Sequence, residues 1–186
     1  MVRTTVSFIA LSLFAVQAAI AQSLESGVYK IYDSYRENSF AIGPVPIVYP
    51  PLDVPLRLLP AGSPMVNRWH VTRTSGDRYT IIEGDGRSDN YKIIPMGDNV
   101  FVSATGPPRE WSITEAGDGQ FVIQIPNQDS IVTAHEGEDV FPPLALEPAN
   151  GSPNQKWKFV RIDFDDSYHW GSYHRKGSHN RLCAQE

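Results

Sequence analysis

An internal repeat restricts the folds open to this chain more than any other feature of its sequence. Three segments share a turn residue, an aromatic residue two positions later and Ile two positions after that. They are residues 27–31, 77–81 and 119–123. A period of two is typical of a half-buried strand, so each aromatic residue faces the same side as its Ile. The repeat therefore predicts three copies of one supersecondary unit.

A second motif follows each of these strands further along the chain. It pairs Trp with an apolar residue two positions later and occurs as Trp69-His-Val71, Trp111-Ser-Ile113 and Trp157-Lys-Phe159. The Trp residues recur about every 40 residues, a length that holds about four strands. Propellers use about four to eight such units, so three units favour the closed twelve-strand alternative. The sequence predicts an all-β protein, a β-trefoil with three pseudo-repeats of about four strands each.

The other strands and the core follow from the same alignment. Middle strands are predicted in pairs within each unit, at residues 40–42 and 56–59, 91–94 and 100–104, and 131–135 and 144–147. The predicted core consists of the repeated aromatic, Ile and Trp residues, namely Tyr29, Ile31, Trp69, Tyr79, Ile81, Trp111, Phe121, Ile123 and Trp157. No stretch keeps a helical spacing without an interrupting Pro or Gly, so no helix is expected.

The two ends of the chain differ from the repeat region. Residues 1–21 combine a basic start at Arg3 with an apolar run that ends in Ala19-Ile-Ala21. This pattern predicts a cleaved signal peptide and hence a secreted, extracellular protein. We expect residues 22–166 to form the domain and the polar residues 167–186 to form a disordered tail.

Charge and cysteine content narrow the classes of partner. Residues 22–166 carry 12 basic and 20 acidic side chains, a net charge of −8, which disfavours nucleic acid and anionic membranes as partners. The single cysteine, Cys183, lies in the tail, so packing must stabilise the domain without a disulfide. The tail histidines recur every five residues, which matches no known ligand spacing, so neither a metal ion nor another cofactor is expected. We expect a monomer.

Catalytic signatures are missing from the sequence. It contains no Gly-x-Ser-x-Gly elbow, no P-loop and no dinucleotide fingerprint, and His135-Glu136 lacks the second His of a zinc-protease helix. We therefore expect a protein that binds another macromolecule and is not an enzyme. Asn150-Gly-Ser152 is a glycosylation sequon in a polar loop, and Pro153 directly after it leaves the occupancy of Asn150 open.

The first unit is lengthened by a proline-rich segment, residues 43–55. Its five prolines stand at positions 44, 46, 50, 51 and 55. Proline favours an extended, polyproline-like backbone that has little conformational entropy left to lose on binding. Val48, Tyr49 and Leu52 supply apolar contacts, and Asp53 follows directly. The segment predicts either a loop that docks into a protease cleft or a cover folded over the barrel.

Taken in order, the motifs between about residues 26 and 163 resemble the β-trefoil serine protease inhibitors of mushrooms. The resemblance rests on Gly27-x-Tyr29-x-Ile31, Phe40-x-Ile42-Gly43, Leu56-Arg-Leu-Leu-Pro60, the three Trp strands and Pro142-Pro143-Leu144. It implies a secreted inhibitor of serine endopeptidases that presents one exposed, rigid loop to its target. The Asn and the Lys that family members use are absent from residues 43–55 and 136–139, so Leu52-Asp53 is the expected reactive position.

Two alternatives remain open from the residues. The loop at 33–38 is similar in position to the loops with which mushroom trefoil inhibitors block cysteine proteases, and Arg36 in it would also suit a trypsin-like pocket. Gln155-Lys-Trp157 matches the Gln-x-Trp signature of ricin-type lectins, which makes carbohydrate the alternative partner. In that reading Asp139 and Phe141 are the candidate acid and aromatic residue of a sugar site.

Overall fold

The computed structural model describes residues 23–36, 40–44, 53–63, 66–84, 91–135 and 141–162. The predicted signal peptide (1–21) and the predicted tail (167–186) lie outside the described residues. The strands within these ranges are β1 Gly27–Asp33, β2 Phe40–Pro44, β3 Val54–Pro60, β4 Trp69–Ser75, β5 Arg78–Glu83, β6 Lys92–Met96, β7 Asn99–Ser103, β8 Glu110–Glu115, β9 Gln120–Gln124, β10 Ile131–Ala134, β11 Leu144–Glu147 and β12 Trp157–Arg161. One short 3₁₀ helix, Pro153–Gln155, precedes β12.

Half of these strands close into a barrel. In antiparallel order, β1 pairs with β4, β4 with β5, β5 with β8, β8 with β9, β9 with β12, and β12 again with β1. The remaining strands form three hairpins, β2–β3, β6–β7 and β10–β11. The hairpins join one another through β3–β7 and β7–β11 and close one end of the barrel as a cap. The predicted all-β class is confirmed, and the pairing is that of a β-trefoil.

The two sequence motifs of each unit lie opposite each other on adjacent, paired strands of the barrel. Tyr29 of β1 lies directly opposite Trp69 of β4 in the strand register. The same pairing joins Tyr79 to Trp111 and Phe121 to Trp157. An aromatic residue facing Trp in an adjacent strand buries a large apolar area on one side of the sheet. The repeat therefore marks the places where the first and last strands of a unit are joined.

The core forms where the sequence predicts it. All nine predicted core residues are buried, and none is more than 7% exposed. Where barrel and cap meet, these side chains leave an apolar cavity of about 10 Å³ that Ile42, Ile93 and Val132 help to line. A smaller cluster of Ala41, Leu59 and Val66 packs beside the main core.

Two pairs of middle strands extend further toward their turns than predicted. In the first unit, β2 ends at Pro44 and β3 begins at Val54, rather than at residues 42 and 56. The sequence predicts strands at 91–94 and 100–104, whereas β6 and β7 extend toward each other until Met96 pairs with Asn99. Gly97 has φ +58°, the left-handed conformation that a two-residue hairpin turn requires. No helix in the described parts of the chain is long and apolar enough to cross a membrane.

Candidate functional site

The proline-rich segment joins two strands that are themselves firmly fixed. β2 and β3 pair without interruption from Phe40–Pro60 to Pro44–Leu56, and we call this paired region the stem. Of the predicted binding residues, Val48, Tyr49 and Leu52 lie outside the described residues, and Asp53 is exposed just before β3. In the second unit the matching hairpin has only residues 97–98 at its tip. Relative to the second unit, the proline-rich segment is therefore an insertion at the tip of a cap hairpin.

Neighbouring units hold the stem from both sides. Val54 and Pro55 pair with β7 of the second unit. On the other side, the backbone N–H of Leu58 donates to the carbonyl of Pro142 at 3.0 Å, and Arg57 donates through Nη1 to the carbonyl of Phe141 at 2.6 Å. The stem interior is apolar, with Leu56 and Leu58 at most 1% exposed. An insertion that leaves such a stem starts and ends at fixed points.

Arg36, the other predicted protease contact, is directed toward the third unit. Its Nη2 donates to the carbonyl of His135 at 3.4 Å, and its Nε lies 3.9 Å from a carboxylate oxygen of Asp33. The Arg36 side chain is 22% exposed. Its neighbour Tyr35 is 46% exposed, and the backbone N–H of Tyr35 donates to Asp33. In this turn the tyrosine faces solvent, while the guanidinium binds within the protein.

A groove lies between this turn and the segment before β12. It encloses about 370 Å³ and is lined by Tyr35 on one side and by Ser152, Pro153 and Asn154 on the other. The backbone N–H of Ser34 donates to the carbonyl of Lys156 at 3.2 Å and ties the two walls together. No sequence pattern indicates this groove, because its walls come from opposite ends of the domain. The one available signal was Tyr35, an aromatic residue in a polar turn.

The predicted glycosylation residue, Asn150, lies exposed in the loop that leads to this groove. Its side-chain oxygen accepts hydrogen bonds from the backbone N–H of Ser152 at 2.9 Å and from the Ser152 hydroxyl. Its own backbone N–H donates to the side chain of Gln155 at 3.0 Å. An exposed asparagine in a polar loop suits modification, and glycosylation of Asn150 stays a prediction.

The Gln-x-Trp motif serves the fold. Gln155 is 2% exposed, and its Nε2 donates to the Thr133 hydroxyl at 3.1 Å and to the carbonyl of Pro148 at 2.9 Å. Its side-chain oxygen accepts from the Asn150 backbone, so both ends of the amide are used inside the protein. The ring of Phe141, the aromatic candidate for a sugar site, packs against the Ala41 cluster, and Asp139 lies outside the described residues.

Two carboxyl groups on the barrel have shifted pKa values of opposite sign. Burial raises the pKa of Glu83 at the end of β5, and one of its side-chain oxygens has no hydrogen-bond partner among the described residues. The other oxygen accepts from the Asn67 amide. The Ser112 hydroxyl donates to Asp77 and lowers the pKa of that carboxyl. The described ranges contain no group of three His, Cys, Asp or Glu side chains placed to hold a metal ion.

No protein-family model matches this sequence, and no curated protein sequence matches it. Solved structures do share its fold. A proteinase inhibitor from Coprinopsis cinerea is similar with a TM-score of 0.61 and 17% identity, over 75% of this chain and 100% of the inhibitor. The designed three-fold symmetric protein ThreeFoil is similar with a TM-score of 0.59 and 14% identity, over 73% of this chain and 99% of its own.

A lectin is similar to the same degree. The ricin B-like lectin of Macrolepiota procera, solved in complex with lactose, has a TM-score of 0.56 and 19% identity, over 76% of this chain and 99% of the lectin. At these identities the likenesses establish the class of fold, a β-trefoil of the kind found in fungal inhibitors and lectins. They do not distinguish between the two functions.

Proposed function

We propose that this chain is a secreted, non-enzymatic inhibitor of serine endopeptidases that acts through the insertion at residues 45–53. The observation that carries the proposal is the fixed stem from which the insertion leaves the cap. A binding loop that starts and ends at fixed points samples fewer conformations, so less of its binding energy is lost in ordering it. The prolines of the segment add to this effect.

The composition of the insertion indicates the type of protease. Leu52 is the expected primary-pocket residue, because an apolar side chain suits the hydrophobic slot of a chymotrypsin-like enzyme. Tyr49 is the poorer candidate, since Pro50 follows it directly. Val48 and Tyr49 would contact the protease beside the primary pocket. The Coprinopsis cinerea proteinase inhibitor, whose whole length is similar to 75% of this chain, shows that this fold is compatible with proteinase inhibition.

Two alternatives use the turn at residues 33–38. In the first, Arg36 enters the primary pocket of a trypsin-like enzyme. In the second, the loop at 33–38 blocks a cysteine protease. The trypsin alternative would require the guanidinium to leave its contacts with Asp33 and the carbonyl of His135. Breaking a charged hydrogen bond costs roughly 1.5 to 3 kcal/mol, which would be lost from the binding energy. This cost makes Leu52 the better candidate for the primary pocket than Arg36.

The test is a titration of trypsin, chymotrypsin, elastase, subtilisin and papain with the recombinant protein. We expect a chymotrypsin- or subtilisin-like enzyme to be inhibited, and Leu52→Asp to abolish the inhibition, because an unpaired carboxylate in an apolar pocket costs several kcal/mol. Met96→Asp is the matched control, since Met96 is exposed at the tip of another cap hairpin. Inhibition that survives Leu52→Asp but is lost in Arg36→Ala would move the site to the 33–38 turn.

Carbohydrate binding is the alternative for this fold, since a lactose-bound lectin shares it. The Gln-x-Trp motif does not favour it, because the polar atoms of Gln155 are bonded within the chain. The groove beside Tyr35 provides a separate reason to consider a sugar.

A further inference from the structure

The groove between Tyr35 and residues 152–154 has the chemistry of a small sugar site. Tyr35 is the most exposed of the large apolar side chains in the described chain, at 46%. A half-exposed aromatic ring can stack on the apolar side of a pyranose ring. From this arrangement we propose that the groove binds a neutral mono- or disaccharide. The inference does not depend on the inhibitor function.

The polar wall of the groove keeps donors and acceptors for sugar hydroxyls. Asn154 uses one amide N–H to bind the carbonyl of Ala134 at 3.1 Å, and its second N–H has no partner among the described residues. The Ser152 hydroxyl contacts the side-chain oxygens of Asn150 and Asn154, but it has one proton and donates to one of them at a time. One amide oxygen therefore remains able to accept a hydrogen bond from a ligand.

The two walls are fixed before any ligand arrives. Ser34 binds the backbone of Lys156 at 3.2 Å, Arg36 binds that of His135 at 3.4 Å, and Asn154 binds that of Ala134. The first two hydrogen bonds join the first unit to the third, and the last lies within the third unit. A preformed groove needs little ordering on binding, so even a small contact area can give measurable affinity.

Size and charge select the class of ligand. A volume of about 370 Å³ lies at the lower end of small-molecule sites. None of the four lining side chains is ionised, and the domain as a whole is acidic, so an anionic ligand is disfavoured. The nearest cation along the chain, Arg36, is directed toward Asp33. A neutral ligand with one apolar face and several hydroxyl groups fits these conditions.

Saturation-transfer NMR on the full chain tests the proposal with three probes: methyl β-galactoside, methyl α-mannoside and methyl β-N-acetylglucosaminide. We expect saturation transfer to at least one probe. Tyr35→Phe should keep the affinity for that probe, whereas Tyr35→Ala should lower the affinity about tenfold or more. Met96→Ala is the control, because it removes an apolar side chain of similar exposure, 41%, elsewhere. Absence of transfer to all three probes, or equal transfer in Tyr35→Ala, would overturn the proposal.

A protease assay of the same variants separates this inference from the proposed function. We expect Tyr35→Ala to inhibit the target protease as well as the wild-type chain does. If Tyr35→Ala abolishes inhibition of papain and no probe binds, the groove contacts a protein, and the sugar proposal is wrong.

Discussion

The indole N–H of Trp157 donates a hydrogen bond to the carbonyl of Val132 at 3.0 Å. The same bond recurs in the other two units, from Trp69 to Ile42 at 3.3 Å and from Trp111 to Ile93 at 3.1 Å. In each unit the Trp of the last strand thereby binds the second strand, so the barrel is joined to the cap three times. The Trp motif of the sequence marks both a core side chain and this connection.

Truncation of Trp111 tests the importance of that connection. Trp111→Ala should lower the free energy of unfolding by about 3 to 5 kcal/mol, because a fully buried indole is removed. Trp111→Phe should lower the free energy of unfolding by less than Trp111→Ala does. It still leaves the carbonyl of Ile93 unpaired, which costs about 1 to 3 kcal/mol. Urea unfolding measures both. A cost below about 1 kcal/mol for the Ala variant would contradict the proposed burial.

The small cavity between barrel and cap offers a stabilising substitution. Val132 occupies the place that Ile42 and Ile93 occupy in the other units, and all three line the cavity. Val132→Ile adds one buried methylene and should raise the free energy of unfolding by up to about 0.8 kcal/mol. The reverse change, Ile93→Val, should lower it by about 0.5 to 1.5 kcal/mol. Destabilisation by Val132→Ile would show that the cavity has no room for the methyl group.

Glu83 should make the stability of the domain depend on pH. Because burial raises its pKa, the folded state binds this proton more tightly than the unfolded state does. The resulting stability is complete below the ordinary pKa of 4.5 and is lost as the pH rises through the folded pKa. Glu83→Gln cannot ionise, so it should be more stable than the wild type at neutral pH.

The comparison of Glu83→Gln with the wild type is made by urea unfolding across this pH range. Its advantage should disappear as the pH falls below 4.5, where Glu83 is protonated in both states. Glu110→Gln, at an exposed position, is the control. Equal stability of Glu83→Gln and the wild type at every pH would show that burial of this carboxyl has no energetic consequence.

The sequence predicted the barrel well, because the closed ring of strands imposes a period on the residues that fill it. Tyr29 and Trp69 recur in three copies, so their pattern identifies both the strands and the core. The groove has no such pattern. Tyr35 and Asn154 lie far apart along the chain, and they meet only because β1 and β12 pair to close the barrel. The internal role of Gln155 likewise depends on Thr133, whose proximity no spacing indicates.

The prolines of the insertion should contribute to inhibition through the unbound state. Replacing Pro46, Pro50 and Pro51 with Ala gives the free loop more conformations to lose, at about 0.4 to 1 kcal/mol for each proline. Together these changes should weaken inhibition by roughly ten-fold or more. Inhibition constants measure the effect, and urea unfolding should show little change in the domain. An inhibition constant equal to that of the wild type would show that preorganisation of the loop is unimportant.

Removal of the whole insertion tests the inhibitor proposal most directly. Residues 45–55 can be replaced by Met-Gly-Asp-Asn, the four residues that join Pro95 to Val100 in the second unit, which keeps the pairing of Pro44 with Leu56. Far-ultraviolet dichroism confirms that the variant folds, and the inhibition constant against the serine endopeptidase that the wild type inhibits is then measured. We predict that inhibition is lost while the fold is kept. A folded variant that inhibits as strongly as the wild type would contradict the proposed function.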